Sequence, residues 1–305
     1  MDKEKAGALV LAAGVLWGII GVFSRSLSAA GIDAIQITAL RSTVAAAGLF
    51  FFLFLRQRQK LRVVWKDLWM FLGTGLCSIA LFNIFYFMTM QRADLSVAAV
   101  LLYTGPFFVM VLSALLFGER LTGMKIAALF LALFGCVCTT GLINGGSLSP
   151  LSILTGVASG FCYGLYSIFG KFALKKYDSM TVTFYTFLVA GIGLLPFARY
   201  GTVAAVAAEY PSVIGTVLLL GLVSTLAPFL LYTRGLSAME SGKASVLAFA
   251  EPLTATVVGV FYFHEPMTLM SVLGVVLIFL ALVLLHAPMP ASGRALAAAE
   301  TRKIR

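Results

Sequence analysis

The sequence predicts an all-α integral membrane protein: ten transmembrane helices forming two inverted five-helix repeats, with the N-terminus and C-terminus both cytoplasmic. Three observations carry this reading. The chain is 61% apolar and only 11% charged, with a mean hydropathy of +1.02, far outside the range of soluble domains. Ten apolar stretches are each long enough for a helical crossing, which needs about 20 residues. The basic residues fall on alternate connections, and one half of the chain repeats the other.

The stretches run over 7–24, 34–55, 68–90, 95–117, 125–142, 151–172, 180–198, 213–233, 244–263 and 268–286. The first resembles a signal sequence, because Lys3 and Lys5 precede it and the small-residue segment SLSAAG follows. The repeat described below argues that it is a permanent helix. The second carries Arg41, and the third carries Asn83 and Tyr86. The fourth and ninth each contain a proline, Pro106 and Pro252, and each is closed by a glutamate, Glu119 and Glu265. The segment NGGSLSP over 144–150 has turn formers and no charge, and is the natural joint between a first half, 1–143, and a second, 151–286. Residues 287–305 are small and basic and read as a disordered cytoplasmic tail.

Charge placement gives the topology. With the N-terminus inside, eighteen Lys and Arg residues lie on cytoplasmic segments, three (Arg25, Arg92, Arg199) lie on the other side, and Arg41 lies within a span. A bias of that size places both termini in the cytoplasm and requires an even number of crossings. The basic run RQRQKLRVVWK, 56–66, is then a topology determinant touching anionic headgroups, with no nucleic-acid partner implied.

Sliding the chain against itself by 146 residues places Gly14 and Gly18 on Gly160 and Gly164, Phe23 on Phe169, Gly75 on Gly221, and Ser78 on Ser224. Further along, Tyr86 falls on Tyr232, Pro106 on Pro252, Phe117 on Phe263, Glu119 on Glu265, and Thr122 on Thr268. Apolar coincidences are cheap in this composition. Gly, Pro, Glu and Tyr at one constant offset are not. Each half holds five spans, an odd number, so the halves enter the membrane from opposite sides, the recurring architecture of secondary transporters.

AVLLYTGPFFVMVLSALLFGERLT (99–122) and SVLAFAEPLTATVVGVFYFHEPMT (245–268) resemble the twice-repeated signature of the EamA-type transporters of the drug/metabolite transporter superfamily. Trp17-Gly18 and the intramembrane Arg41 are similar to the family pattern, and the likeness covers residues 7–286. It implies two EamA-like five-helix repeats, a central cavity built from helices 1–4 and 6–9, and bracing by helices 5 and 10. The sequence departs from the pattern at His264, where the family has Gly before Glu265.

Glu251 is the first candidate site residue. A carboxylate in the middle of a span is expensive and marks a functional position, and it can carry a proton, which makes it the candidate coupling group as well as a substrate-binding one. Pro252 beside it, like Pro106, is a candidate helix break, expected to free the carbonyls of Ala248 and Leu102. Arg41 cannot lose its charge and needs an acceptor: Glu251, Asp33, backbone carbonyls, or a substrate carboxylate. An Arg and a Glu in one cavity would suit a zwitterion. Trp17, Asn83, Tyr86, Tyr103, Tyr163, Tyr166 and Tyr232 complete the candidate lining, each with packing or an interfacial role as its plainer reading. Glu119 and Glu265 are candidate gating or structural residues.

The chain carries no H-E-x-x-H, no G-x-S-x-G, no P-loop and no intramembrane pair of Asp, so nothing suggests an enzyme. No cofactor and no metal is expected: Cys77, Cys136, Cys138 and Cys162 lie within spans as packing residues, and only two histidines exist. The reading is a secondary transporter in the bacterial inner (cytoplasmic) membrane, moving a small polar metabolite such as an amino acid outward by alternating access. Its partners are that small molecule, the lipid bilayer and protons, and it is a monomer or a homodimer. The alternative is a passive channel or a non-transporting scaffold.

Overall fold

The computed structural model describes residues 1–140 and 149–286. Most of the expected joint, 144–150, and the expected tail, 287–305, lie outside the described residues. Among the described residues, nine helices are long and apolar enough to cross a membrane: α1 (Glu4–Ala29), α2 (Ala34–Arg56), α3 (Trp65–Met90), α4 (Leu95–Phe117), α5 (Gly123–Thr140), α6 (Pro150–Ala173), α7 (Ser179–Phe197), α8 (Ser212–Leu236) and α9 (Ser241–Phe263). A tenth, α10 (Leu269–His286), is as apolar but shorter. A short helix, Tyr200–Glu209, joins α7 to α8. Long apolar side chains such as Phe51, Leu115, Phe130, Leu154, Phe261 and Leu269 stand exposed around the outside. An apolar belt of that extent is stable only against hydrocarbon.

Local chemistry sets the helix ends. Asp33 opens α2 with a capping box: its Oδ1 accepts from the N–H of Ile35 (2.9 Å) and Gln36 (2.8 Å), and Gln36 Oε1 accepts from the N–H of Asp33 (2.9 Å). Asp33 Oδ1 is thereby engaged as a cap, and no ion pair joins Asp33 to Arg41 among the described residues. α4 and α9 end in the left-handed conformation, at Gly118 (φ 66°) and His264 (φ 54°). Glycine adopts that geometry without strain, whereas histidine does not.

The repeat is visible in the packing. α1 packs on α8 and α9 of the other half, and its counterpart α6 packs on α3 and α4. α2 lies against α7 and α5 against α10, so these pairs are their own counterparts. Paired glycines make the crossings close. A Cβ on Gly14 would come within 2.8 Å of Ala250 and one on Gly18 within 2.5 Å of Thr254, while one on Gly160 would come within 2.5 Å of Thr104 and one on Gly164 within 3.0 Å of Gly105. Gly135 and Gly274 do the same between α5 and α10.

Four helices are irregular at matching places. α3 and α8 each contain a π-helical stretch, Gly73–Ala80 and Leu222–Leu226. α4 is interrupted after Leu102 and resumes at Gly105, and α9 is interrupted after Leu247 and resumes at Ala250. The two prolines stand in the first turn of the resumed segments, where a missing N–H costs little. One expectation is corrected here: the Ala248 carbonyl is not left free, because the chain tightens and Glu251 N–H donates to it at 2.9 Å.

Candidate functional site

The two interruptions meet at the centre of the molecule. Tyr103 and Phe249, which correspond at the 146-residue offset, face each other with ring centroids 5.6 Å apart. Beside them lies a narrow cavity of about 30 Å³, lined among others by Trp17, Ser78, Pro106, Tyr163, Tyr166, Ser167, Tyr232 and Ser245. That volume holds a water or two and no larger solute, so the region has to widen to admit one. A larger apolar groove of about 750 Å³ lies between α2 and α7, walled by Phe50, Phe51, Phe187 and Ile192, with no charged residue in its lining. Phe51 and Ile192 on its walls are exposed, and it is not where the charges are.

Glu251, in the first turn of the resumed α9, is partly buried, and Tyr163 donates its hydroxyl to Oε2 at 3.4 Å. Arg41, Tyr86, Tyr103 and Cys136 are all within electrostatic reach of that carboxylate. Arg41 is 8% exposed, and its Nε is buried without a hydrogen-bond partner among the described residues. No ion pair joins it to Glu251 among the described residues. Trp17 packs edge-on against Phe229 at 5.0 Å and beside Tyr232 at 5.3 Å, and its Nε1 is also unpartnered.

Other candidates are engaged in holding helices together. Tyr166 bonds Thr233 through its hydroxyl, and Tyr232 bonds Ser167 at 2.7 Å, both across the α6–α8 contact. The Asn83 amide turns toward α2: Nδ2 donates to the Ile79 carbonyl at 2.7 Å and Oδ1 accepts from Thr38 at 3.0 Å. Tyr86 packs on Phe82, which in turn meets Tyr163 edge-on at 5.5 Å. Glu119 and Glu265 lie far from this centre, at opposite ends of the molecule, and their partners differ. Glu119 accepts from the backbone N–H of Ser241 (2.7 Å) and Gly242 (3.0 Å), whereas Glu265 pairs with Arg25 at 2.7 Å.

Sequence reasoning passed over four buried serines. The hydroxyls of Ser42, Ser78, Ser224 and Ser241 have no partner among the described residues. Ser78 and Ser224 sit in the two π-helical stretches, where widening of the helix turns side chains out of their ordinary register. Their identity at the repeat offset was the available signal.

Comparison with known proteins gives this arrangement its place. Residues 5–141 and 150–287 each match the model of the EamA-like transporter family. An uncharacterized transporter of Archaeoglobus fulgidus is 33% identical over 88% of this chain and 90% of its own length. The uncharacterized inner membrane transporter YicL of Salmonella typhimurium is 26% identical over 93% of this chain and 96% of its own. A crystal structure at 20% identity superposes with a TM-score of 0.76 over 93% of this chain and 96% of that one, a likeness of fold. With both halves matched and relatives aligned over nearly their whole length, the chain is a multi-pass membrane transporter, not an enzyme, and it belongs to the EamA-like family of the drug/metabolite transporter superfamily.

Proposed function

We propose that this transporter moves a small zwitterionic metabolite, an amino acid or a related compound, outward across the inner membrane of a bacterium by alternating access. In this reading the chain crosses ten times with both termini in the cytoplasm, and the end carrying Arg56, Lys66 and Arg234 faces inward. The observation that carries the substrate class is the relation between Arg41 and Glu251. Both lie within spanning helices, Arg41 buried and Glu251 partly buried, and no ion pair joins them among the described residues. A fixed cation and a carboxylate held apart present complementary charges to a molecule bearing one of each. Each is costly unless such a partner arrives. Tyr163 and Trp17 add a donor to Glu251 and an unpartnered N–H at the cavity wall.

Glu251 is also the proposed proton-coupling group, since a neutral carboxyl and a carboxylate bind an ammonium group differently. The test is unfolding of the purified protein against a panel of amino acids, amines and carboxylic acids at two pH values, for the wild type and Glu251→Gln. A solute at ten times its dissociation constant stabilises by about 1.4 kcal/mol. Zwitterions are expected to stabilise the wild type, with the effect lost or made independent of pH in Glu251→Gln. Stabilisation by amines alone or acids alone would overturn the zwitterion reading. Flux from right-side-out and inverted vesicles then reads direction.

A further inference from the structure

The two ends of the molecule are built from equivalent residues that are wired differently. At the 146-residue offset Glu119 corresponds to Glu265, Arg25 to Lys171, and the α8–α9 connection, Leu236–Ser241, to the α3–α4 connection, Met90–Leu95. At the basic end the acid and the base both grip backbone. Glu119 takes the N–H groups of Ser241 and Gly242, and Lys171 Nζ donates to the carbonyls of Leu236 (2.9 Å) and Met239. The α8–α9 connection is thus clamped at both ends, and Ser241 is fully buried. Gly242 fits close against Met110 and Ser113 of α4.

At the opposite end the same groups hold each other. Glu265 pairs with Arg25, whose guanidinium also lies over the Phe263 ring at 4.1 Å. Leu95, the counterpart of Ser241, is 56% exposed. The space beside Gly259, the counterpart of Ser113, is filled first by the Glu265 carboxylate itself.

We infer that these two acid–base pairs are the gates of the transporter and that they exchange roles in each cycle. In the opposite state Arg25 releases Glu265. Glu265 then caps the N–H groups of Leu95 and Ser96, and Arg25 takes the carbonyls of Met90 and Ala93. At the basic end Lys171 and Glu119, already within electrostatic reach of each other, pair together and free the α8–α9 connection. The arrangement described here is therefore closed at the basic end and unlatched at the other. This inference rests on the alternating-access reading above but on no choice of solute.

The test introduces thiol reporters singly, Ser241→Cys at one end and Ser96→Cys at the other, in the full chain in lipid nanodiscs. Maleimide labelling is read at each position by mass spectrometry, with no solute added. Glu265→Gln changes an exposed side chain at the unlatched end. Its amide oxygen still accepts from backbone N–H, as the opposite state requires, but it no longer forms the ion pair with Arg25. It is expected to raise labelling at position 241, across the membrane, by about fivefold and to lower it at position 96 by a similar factor, the response of a two-state equilibrium to one lost charge-assisted contact. Glu119→Gln keeps an acceptor for the N–H groups of Ser241 and Gly242 and loses the pairing with Lys171 that the opposite state needs, so it is expected to shift both positions in the reverse directions. Labelling that changes only at the substituted end, or two variants that shift labelling the same way, would overturn the exchange and leave Glu119 a simple helix cap. A failed solute panel beside a reciprocal labelling result would reject the proposed cargo and keep the gates.

Discussion

An arginine within a spanning helix is costly, up to about 2.5–3.5 kcal/mol at the helix centre on insertion scales, and Arg41, two turns in from the start of α2, is buried with its Nε unpartnered among the described residues. A structural ion pair would have closed on Glu251 or on Asp33, and no ion pair joins Arg41 to either among the described residues. The guanidinium is planar and forked, and it grips a carboxylate through two parallel donors where an ammonium offers a point charge. Arg41→Ala is therefore expected to weaken binding of the best solute by tenfold or more, and Arg41→Lys to recover little of it, as read by titration of the unfolding shift. Full recovery in Arg41→Lys would mean that the site reads charge alone. Unchanged affinity in both would remove Arg41 from the solute's surroundings.

Glycines decide how closely the elements of this fold approach. Gly14, like its counterpart Gly160, lies where one helix crosses the interruption of another, and a methyl group there meets Ala250 at 2.8 Å and the Glu251 backbone at 3.1 Å. Gly21, two turns further along α1, has nothing within 4 Å. Gly14→Ala is expected to destabilise by about 1–3 kcal/mol through overpacking, and to disturb Glu251 with it. Gly21→Ala should be neutral or slightly stabilising, because helix propensity is all that changes. Unfolding in detergent separates the two. Equal effects would mean that the α1–α9 contact yields more readily than its geometry implies. This element-level design was legible in the sequence as far as period and identity reach. The helices, their order, the repeat offset and the paired Gly-x-x-x-Gly motifs could all be read before any contact was known. The wiring of single polar groups could not. Asn83 and Tyr166 carry the same side chains whether they face a solute or a neighbouring helix, and only the register of α3 and α6 against their neighbours sends one to Thr38 and the other to Thr233. Nor could the π-helical stretches be anticipated, because they come from how a helix accommodates its neighbours and leave no mark in hydropathy.

At the scale of the whole molecule, each buried apolar cluster among the described residues draws side chains from both halves. α1 finds its main contacts on α8 and α9, α6 finds its own on α3 and α4, and the bracing pair α5–α10 takes one helix from each repeat. Two chains, one ending and the other starting within 141–148, are expected to copurify when made together and to give an unfolding transition close to that of the intact protein. Each made alone should aggregate or be degraded, since the faces it must bury lie on the missing partner. A first half that is stable and monodisperse by itself would show that the inter-half contacts contribute less than their extent implies. The same interleaving gives the contact between Tyr103 and Phe249 a particular kinetic meaning. Those two rings correspond to each other under the repeat, so exchanging the roles of the halves carries their contact back onto nearly the same contact. If the halves exchange roles as proposed, a change there would burden both end states about equally and leave their populations alone. It would alter the height of the pass between them, so that the central rings would set how fast the molecule turns over while the charged residues at its ends would set which way it rests.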